Sequence, residues 1–215
     1  MKHSCAIFDL DGVLVDTAKY HYLAWKELAD RLGFNFTLHD NERLKGVSRM
    51  SSLDILLEVG QMKDRFTQVE KENLAAEKNQ RYVEWISKLD ESELLEGALS
   101  LLEALKKKEV KIALGSASKN AQLILENVGI AHLFDVVVDG NAVSKAKPDP
   151  EVFTLGADKL QVPYERCVVF EDSQAGLEAA KAVGMFAIGV GQKHALPHAD
   201  IVYPSLKNFP VELYF

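Results

Sequence analysis

Residues 7–13 read IFDLDGV, the end of an apolar run followed by two aspartates and a glycine. The apolar run at residues 5–8 is typical of a buried parallel strand. In an open α/β sheet, ligands bind just beyond the carboxyl ends of the strands, which is where Asp9 and Asp11 follow. Gly12 can open a turn that aims the second carboxylate across the first. The stretch therefore indicates one carboxylate that attacks and one that moves a proton, although two acids at this spacing also occur at solvated strand ends.

The composition is that of an ordinary globular protein. The 215 residues are 47% hydrophobic and 27% charged, enough for a sizeable core in one large domain or two smaller ones. A net charge of -7 disfavours nucleic acid and anionic membranes, so an anionic substrate must meet local cations or a metal. Cys5 and Cys167 lie in apolar runs and are expected to be buried thiols. With no signal-peptide pattern and no run that could span a membrane, we expect a cytoplasmic protein.

The helical pattern of residues 19–93 divides the chain. Apolar residues at 25, 28, 29 and 32 predict a helix that ends at Gly33. Polar, helix-favouring sequence without a convincing strand continues to about residue 93. We therefore predict a small helical domain over residues 17–92, inserted into a core domain made of residues 1–16 and 93–215.

The rest of the core domain alternates strands with helices. Strands are predicted at residues 110–114, 136–138, 168–170, 186–190 and 201–203, with helices around 101–105, 121–128, 153–160 and 175–183. This alternation is typical of an α/β fold with a doubly wound parallel sheet, in which the Asp9 strand is expected to lie centrally.

Three more polar clusters follow predicted strands, so they are expected at the same sheet edge. Residues 115–120, GSASKN, offer hydroxyls and backbone N–H groups that suit a phosphate, or a simple helix cap. In residues 145–150, KAKPDP, two prolines follow Lys147 and stiffen the chain, which favours a positioned cation, although a solvated lysine pair would look similar. Residues 171–173, EDS, add two acids that with Asp9 suit Mg²⁺, or that act only on a helix N-terminus.

Taken in this order, these clusters resemble the four motifs of the haloacid dehalogenase superfamily of phosphotransferases. The resemblance implies a Rossmann-like core with an inserted helical cap domain. It also implies that Asp9 is a nucleophile that forms an aspartyl phosphate, and that Asp11 is the general acid and base. The implied catalytic residues are Asp9, Asp11, Ser116 and Lys147, and the implied Mg²⁺ site contains Asp9, the backbone carbonyl of Asp11, Glu171 and Asp172.

Within that superfamily, the cap and the core resemble the β-phosphoglucomutase family. The implied substrate-binding residues are Thr17, His21, Trp25, Lys45, Gly46, Val47, Arg49, Ser52, Lys78, Ala117, Ser118, Lys119 and Asn120. The glycine of LKGVSR, residues 44–49, allows a close backbone approach, and the arginine can grip a distal phosphate, although a loop with a solvated arginine is the alternative. With Thr17 and Lys78, His21 is expected to position Asp11.

The resemblance implies interconversion of β-glucose 1-phosphate and glucose 6-phosphate through bound β-glucose 1,6-bisphosphate, with Mg²⁺ as cofactor. A sugar-phosphate phosphatase with the same core is the closest alternative. A dehalogenase needs neither Asp11 nor a magnesium site, and a phosphonate hydrolase would need a cap lysine, a role left open for Lys45 or Lys78. A binding module is disfavoured because every catalytic position holds a competent residue. We expect a monomer whose partners are small sugar phosphates and not nucleic acid or membrane, and the exact sugar stays open.

Overall fold

The structure is a computed structural model that describes residues 2–44 and 47–215. Two compact units make up the chain, Met1–Asp16 with Leu89–Phe215 and Thr17–Lys88, which we call the core unit and the cap unit. The sequence placed the second boundary between residues 92 and 93, whereas the structure places it between Lys88 and Leu89. Within the described residues, no helix has the length and apolar character needed to cross a membrane.

The core unit contains a six-stranded parallel sheet in the order β3-β2-β1-β4-β5-β6. The strands are β1 (Cys5–Phe8), β2 (Lys111–Gly115), β3 (Val136–Val138), β4 (Cys167–Glu171), β5 (Phe186–Val190) and β6 (Ile201–Tyr203). Ile7 of β1 is in register with Ala113 on one side and Val169 on the other. The predicted α/β class and the central place of the Asp9 strand are therefore confirmed.

The helices of the cap unit are α1 (Ala18–Leu32), α2 (Leu38–Asn41), α3 (Arg49–Val59) and α4 (Gln68–Ile86). Those of the core unit are α5 (Ala98–Lys107), α6 (Ala121–Asn127), α7 (Glu151–Leu160), α8 (Gln174–Ala182) and α9 (Val211–Tyr214). Short 3₁₀ turns lie at Glu42–Leu44, Glu91–Glu93, Ala131–Leu133, Tyr164–Arg166 and Lys193–Ala195. As predicted, α1 ends where Gly33 adopts a left-handed conformation at φ +89°.

Each unit has its own apolar core. One face of the sheet buries β1, β2 and β4 side chains against Phe153 of α7 and Leu177 of α8. The cap unit buries Trp25 of α1 against residues of α3 and α4, among them Leu53 and Ala75. Because each unit encloses its own buried cluster, the apolar burial that drives folding is supplied within each unit.

Two aspartates fix the starts of strands in the same way. Asp135 accepts the N–H of Ile112 at 2.8 Å through Oδ2 and donates its own N–H to the Ile112 carbonyl at 2.8 Å, while Lys106 binds Oδ1. Asp200 makes the same pair of 2.8 Å bonds with Ala187. Each carboxylate thus satisfies a strand N–H that the parallel ladder does not use.

The two cysteines lie opposite each other in register on β1 and β4, and both are buried and free. The hydrogen bond between their thiols and the burial of both raise the pKa of Cys5 above its ordinary range. The predicted buried thiols are therefore confirmed, and they behave as small core residues.

Candidate active site

The turn after β1 brings Asp9 and Gly12 to the carboxyl edge of the sheet. Asp9 is 7% exposed, and its N–H donates to the Phe170 carbonyl at 2.9 Å. Gly12 has φ +78°, and a Cβ there would stand 2.1 Å from Oδ2 of Asp172. The glycine is required both for the turn and for the close approach of the Asp172 carboxylate.

Lys147 joins two motifs that are far apart in sequence. Its Nζ lies 2.5 Å from Oδ1 of Asp9 and 2.7 Å from Oε1 of Glu171, and its side chain is only 6% exposed. The ammonium also lies 4.7 Å from the centroid of the Phe153 ring, a cation–π distance. The predicted positioned cation is thus found bound to both carboxylates, rather than solvated.

Glu171 is held from its other side by the start of α8. Its Oε2 accepts the Ser173 N–H at 2.7 Å and the Ser173 hydroxyl at 2.9 Å. A Cβ at Gly176 would stand 1.9 Å from Oε1 of Glu171, which is the oxygen that binds Lys147. Only a glycine leaves room for this carboxylate.

Negative charge dominates this edge. Burial raises the pKa of Asp9 to about 6, although the Lys147 ammonium opposes the shift. Burial also raises the pKa of Asp172 to about 8, helped by repulsion from the carboxylates of Glu171, Asp9 and Asp11. For Lys147, burial acts to lower the pKa, but the Asp9 and Glu171 carboxylates outweigh it and keep the ammonium charged. The charge of the four carboxylates exceeds what this ammonium balances, so the group is suited to a cation.

In residues 2–44 and 47–215, no group of three or more His, Cys, Asp or Glu side chains is arranged so that it could hold a metal ion. Mg²⁺ does not need one, since it commonly takes one or two carboxylates and keeps water and substrate oxygens. The donor set is hard oxygen throughout, and repulsion between the neighbouring carboxylates adds to burial in raising the pKa of Asp9 and Asp172. These residues therefore fit Mg²⁺.

The Ser116 segment forms a compact turn after β2. Ser116 is 1% exposed, and its hydroxyl oxygen accepts the N–H of Ser118 at 3.1 Å. The Ser118 hydroxyl in turn accepts the N–H of Asn120 at 3.3 Å, and the backbone carbonyl of Ser118 accepts the N–H of Gly140 at 3.1 Å. Asn120 itself makes no side-chain cap to α6. The two serine hydroxyls therefore hold the conformation of the loop, and they do more than cap the N-terminus of α6.

Residues after β3 brace this turn. A Cβ at Gly140 would stand 2.2 Å from the Ala117 carbonyl oxygen, so only glycine fits there. The side-chain amide of Asn141 donates to the Lys119 carbonyl at 3.0 Å.

Within the cap unit, Lys78 is buried among aromatic rings. Its Nζ lies 2.9 Å from Nδ1 of His21, 4.5 Å from the Trp25 ring centroid and 5.0 Å from that of Tyr82. An ammonium can only donate, so Nδ1 accepts and the ring proton of neutral His21 is on Nε2. Burial, with the charges of Lys78 and Arg49, holds the pKa of His21 well below its ordinary value. The predicted association of His21 with Lys78 is present.

Trp25, which was predicted to bind substrate, lies on α1 of the cap unit. It is 3% exposed and belongs to the core of the cap unit, where its ring lies beneath Lys78. The ring therefore packs in the cap core and also contacts the Lys78 ammonium. The helical spacing of Trp25 with Leu28 and Leu32 was the sequence signal for this core position.

The other predicted cap residues differ in exposure. Thr17 is fully buried, and its hydroxyl neither caps α1 nor has a hydrogen-bond partner among the described residues. Ser52 is 5% exposed on α3, whereas Val47 and Arg49 are exposed. Lys45 and Gly46, which were also predicted to bind substrate, lie outside the described residues.

Sequence reasoning missed Phe153, Ser173 and Gly176 as parts of this site. Phe153 was assigned only to a helix, yet its ring lies beneath Lys147. A glycine in the first turn of the helix that follows an acidic pair was the available signal for Gly176.

A family model described as haloacid dehalogenase-like hydrolase matches residues 3–184. The chain belongs to this family. It is 44% identical to the β-phosphoglucomutase of Bacillus subtilis over 207 residues, which cover 96% of this chain and 92% of that protein. It is 35% identical to the phosphorylated carbohydrates phosphatase of Thermotoga maritima over 88% of this chain and 85% of that protein.

A solved structure is similar along nearly the whole chain. The crystal structure of β-phosphoglucomutase from Clostridium difficile superposes with a TM-score of 0.92 at 42% identity, covering 98% of this chain and 95% of that one. The resemblance read from the four motifs is therefore confirmed, and the chain is an enzyme of this superfamily.

Proposed function

We propose that this enzyme is a β-phosphoglucomutase, which interconverts β-glucose 1-phosphate and glucose 6-phosphate through β-glucose 1,6-bisphosphate. The observation that carries the proposal is the 44% identity to a β-phosphoglucomutase over 96% of the chain. The Asp9 site alone would also suit a phosphatase, because both reactions begin with the same attack on phosphorus.

Asp9 is the proposed nucleophile and Asp11 the proposed acid and base. In one half-reaction, an Asp9 carboxylate oxygen bonds to phosphorus as the bond from phosphorus to the sugar oxygen breaks. Asp11 gives the departing sugar oxygen a proton. In the other, a sugar hydroxyl bonds to the phosphorus on Asp9, the bond to Asp9 breaks, and Asp11 takes the hydroxyl proton. Charge and protons balance over the cycle because Asp11 returns to its starting state.

Lys147 and Ser116 are the proposed electrostatic partners of the transferring group. The ammonium of Lys147 is 2.5 Å from Asp9 and 6% exposed, so its charge acts on the phosphoryl oxygens with little screening by water. The buried Ser116 hydroxyl supplies a neutral donor at the neighbouring strand end.

Mg²⁺ is the proposed cofactor. Asp9, Glu171, Asp172 and the backbone carbonyl of Asp11 would hold it, and Glu171 also keeps Lys147 in place. When bound, Mg²⁺ supplies positive charge that offsets the charge of the phosphoryl group.

The proposed sugar-phosphate contacts divide by unit. In the core unit, the Ser116–Asn120 turn would bind phosphate through Ala117, Ser118 and Lys119. In the cap unit, Arg49 would grip the phosphate that is not reacting, and neutral His21 with Thr17 and Lys78 would contribute to substrate binding. We also propose a cytoplasmic monomer, which fractionation and light scattering would test.

Two variants test the proposed chemistry. Asp9→Asn should fold normally and lose all phosphoryl transfer, because an amide is isosteric with the carboxylate but is not nucleophilic. Asp11→Asn should lose about 10²- to 10⁴-fold in turnover, because proton transfer serves both half-reactions. Retained transfer in the first variant would overturn the role of Asp9, and turnover of the second within a few-fold of wild type would overturn that of Asp11.

A further inference from the structure

The loop that carries Lys147 is tied to the first residue of α7. The Oε2 of Glu151 accepts the N–H of Ser144 at 2.9 Å, the hydroxyl of Ser144 at 3.0 Å and the N–H of Lys145 at 2.7 Å. These bonds hold the pKa of Glu151 below its ordinary value, that with the Lys145 N–H contributing most. One carboxylate oxygen thus gathers three donors from the start of the loop.

A second carboxylate residue, Asp149, ties the end of the same loop. Asp149 donates its N–H to the Ala146 carbonyl at 3.1 Å, and its Oδ1 accepts the N–H of Glu151 at 3.1 Å. Lys147 therefore lies on a short segment whose two ends are both bonded to neighbouring residues.

The position of this segment matters because the Lys147 ammonium meets two carboxylates at once. Its distances of 2.5 Å to Asp9 and 2.7 Å to Glu171 are both those of hydrogen bonds, so a shift of the backbone must be taken up by the lysine side chain or lengthen one of the contacts. A misplacement of about 1 Å at a reacting group can cost about 10²-fold in rate. An ordinary loop carboxylate would instead affect stability alone.

We propose that Glu151 is a positioning residue for phosphoryl transfer, because its carboxylate fixes the Ser144–Lys145 backbone and so sets where the Lys147 ammonium meets Asp9. The inference rests on the proposed role of Lys147. Glu151 touches neither substrate nor Asp9, so it acts through the loop and not on the reacting atoms.

Two conservative variants separate this role from a charge effect on α7. Glu151→Gln keeps the length and an oxygen that can take the place of Oε2, but it removes the charge. Glu151→Asp keeps the charge at the helix N-terminus, but its carboxylate is one methylene too short to reach the loop. Glu151→Ala removes both features.

The measurements are kcat and KM for acetyl-phosphate hydrolysis and for β-glucose 1-phosphate isomerisation, with thermal unfolding of each variant. We expect kcat to fall about 10- to 100-fold in Glu151→Ala and Glu151→Asp and to stay within about threefold of wild type in Glu151→Gln. Glu70→Ala is the matched control, because Oε2 of Glu70 likewise accepts a backbone N–H, at 2.8 Å, and a hydroxyl, at 2.8 Å, both from Thr67. It should lower the Tm and leave kcat unchanged.

A normal kcat in Glu151→Asp with a reduced one in Glu151→Gln would overturn the proposal. It would show that Glu151 acts through its negative charge at the N-terminus of α7. Equal kcat values in all variants, at any Tm, would also overturn it. If Glu151→Ala fails to fold, the comparison of Asp with Gln still decides. Failure of the proposed function is separate, because wild-type enzyme that hydrolyses acetyl phosphate without isomerising β-glucose 1-phosphate would refute the mutase while the variants still test the loop.

Discussion

A single methyl group at Gly176 should disrupt the site that holds Lys147. In Gly176→Ala the new Cβ would stand 1.9 Å from Oε1 and 2.1 Å from Cδ of Glu171. Contacts this short cannot be accommodated, so the Glu171 carboxylate must move. Because that oxygen also accepts from Lys147 at 2.7 Å, the move breaks one of the two ion pairs of the ammonium.

The free-energy cost follows from the burial of that pair. Lys147 and Glu171 are 6% and 1% exposed, and separating a buried ion pair costs about 3 to 5 kcal/mol. Alanine favours a helix over glycine by about 1 kcal/mol, which offsets part of the loss. A net destabilisation of about 2 to 4 kcal/mol is expected, with turnover reduced about 10- to 100-fold because Lys147 is no longer fixed.

Gly156→Ala is the control, since it adds the same methyl group to α7. Its Cβ would meet the Cβ of Ala113 at 3.4 Å, an ordinary contact, so stability should be unchanged or rise by up to about 1 kcal/mol. Urea unfolding and acetyl-phosphate hydrolysis of both variants are the assays. Wild-type stability and activity in Gly176→Ala would refute the view that this glycine makes room for Glu171.

Three further changes probe the cap unit and the sheet. Lys78→Met should raise the pKa of His21 toward its ordinary value, because it removes a neighbouring positive charge while keeping the apolar packing; an unchanged histidine titration by NMR would contradict this. Asp135→Ala should cost about 1 to 3 kcal/mol by leaving the Ile112 N–H unpaired. The fold lowers the pKa of Asp135, so its contribution is present above an unfolded pKa of about 4 and should fade as the pH falls; urea unfolding that shows no such pH-dependent difference from the variant would refute it. Arg49→Ala should raise the bisphosphate concentration needed for isomerisation about tenfold or more and leave acetyl-phosphate hydrolysis nearly unchanged; equal losses would indicate general support of the cap unit.

The strands were predictable because each is a short apolar run with clear ends. The predicted strands at residues 136–138, 186–190 and 201–203 have the observed bounds, and those at 110–114 and 168–170 differ by one residue at each end. The four motifs likewise indicated which side chains gather at the sheet edge, since parallel strands bring their carboxyl ends together.

What the sequence could not give were contacts between distant segments. Nothing near Glu171 in sequence shows that one of its oxygens binds Lys147, and nothing near Gly140 shows that the Ala117 carbonyl lies against it. The helical spacing of Trp25 indicated a core position, but not that its ring would lie beneath Lys78. Such contacts depend on tertiary packing and leave little local signal.

The fate of the phosphoryl group of β-glucose 1-phosphate distinguishes a mutase from a phosphatase. Wild-type enzyme is incubated with this substrate, a trace of β-glucose 1,6-bisphosphate and Mg²⁺, and ³¹P NMR follows glucose 6-phosphate and inorganic phosphate, with Asp9→Asn as the blank. The proposed function predicts that glucose 6-phosphate accumulates in large excess over inorganic phosphate and that the blank forms neither. Inorganic phosphate as the main product would contradict the mutase and assign the chain to the sugar-phosphate phosphatases.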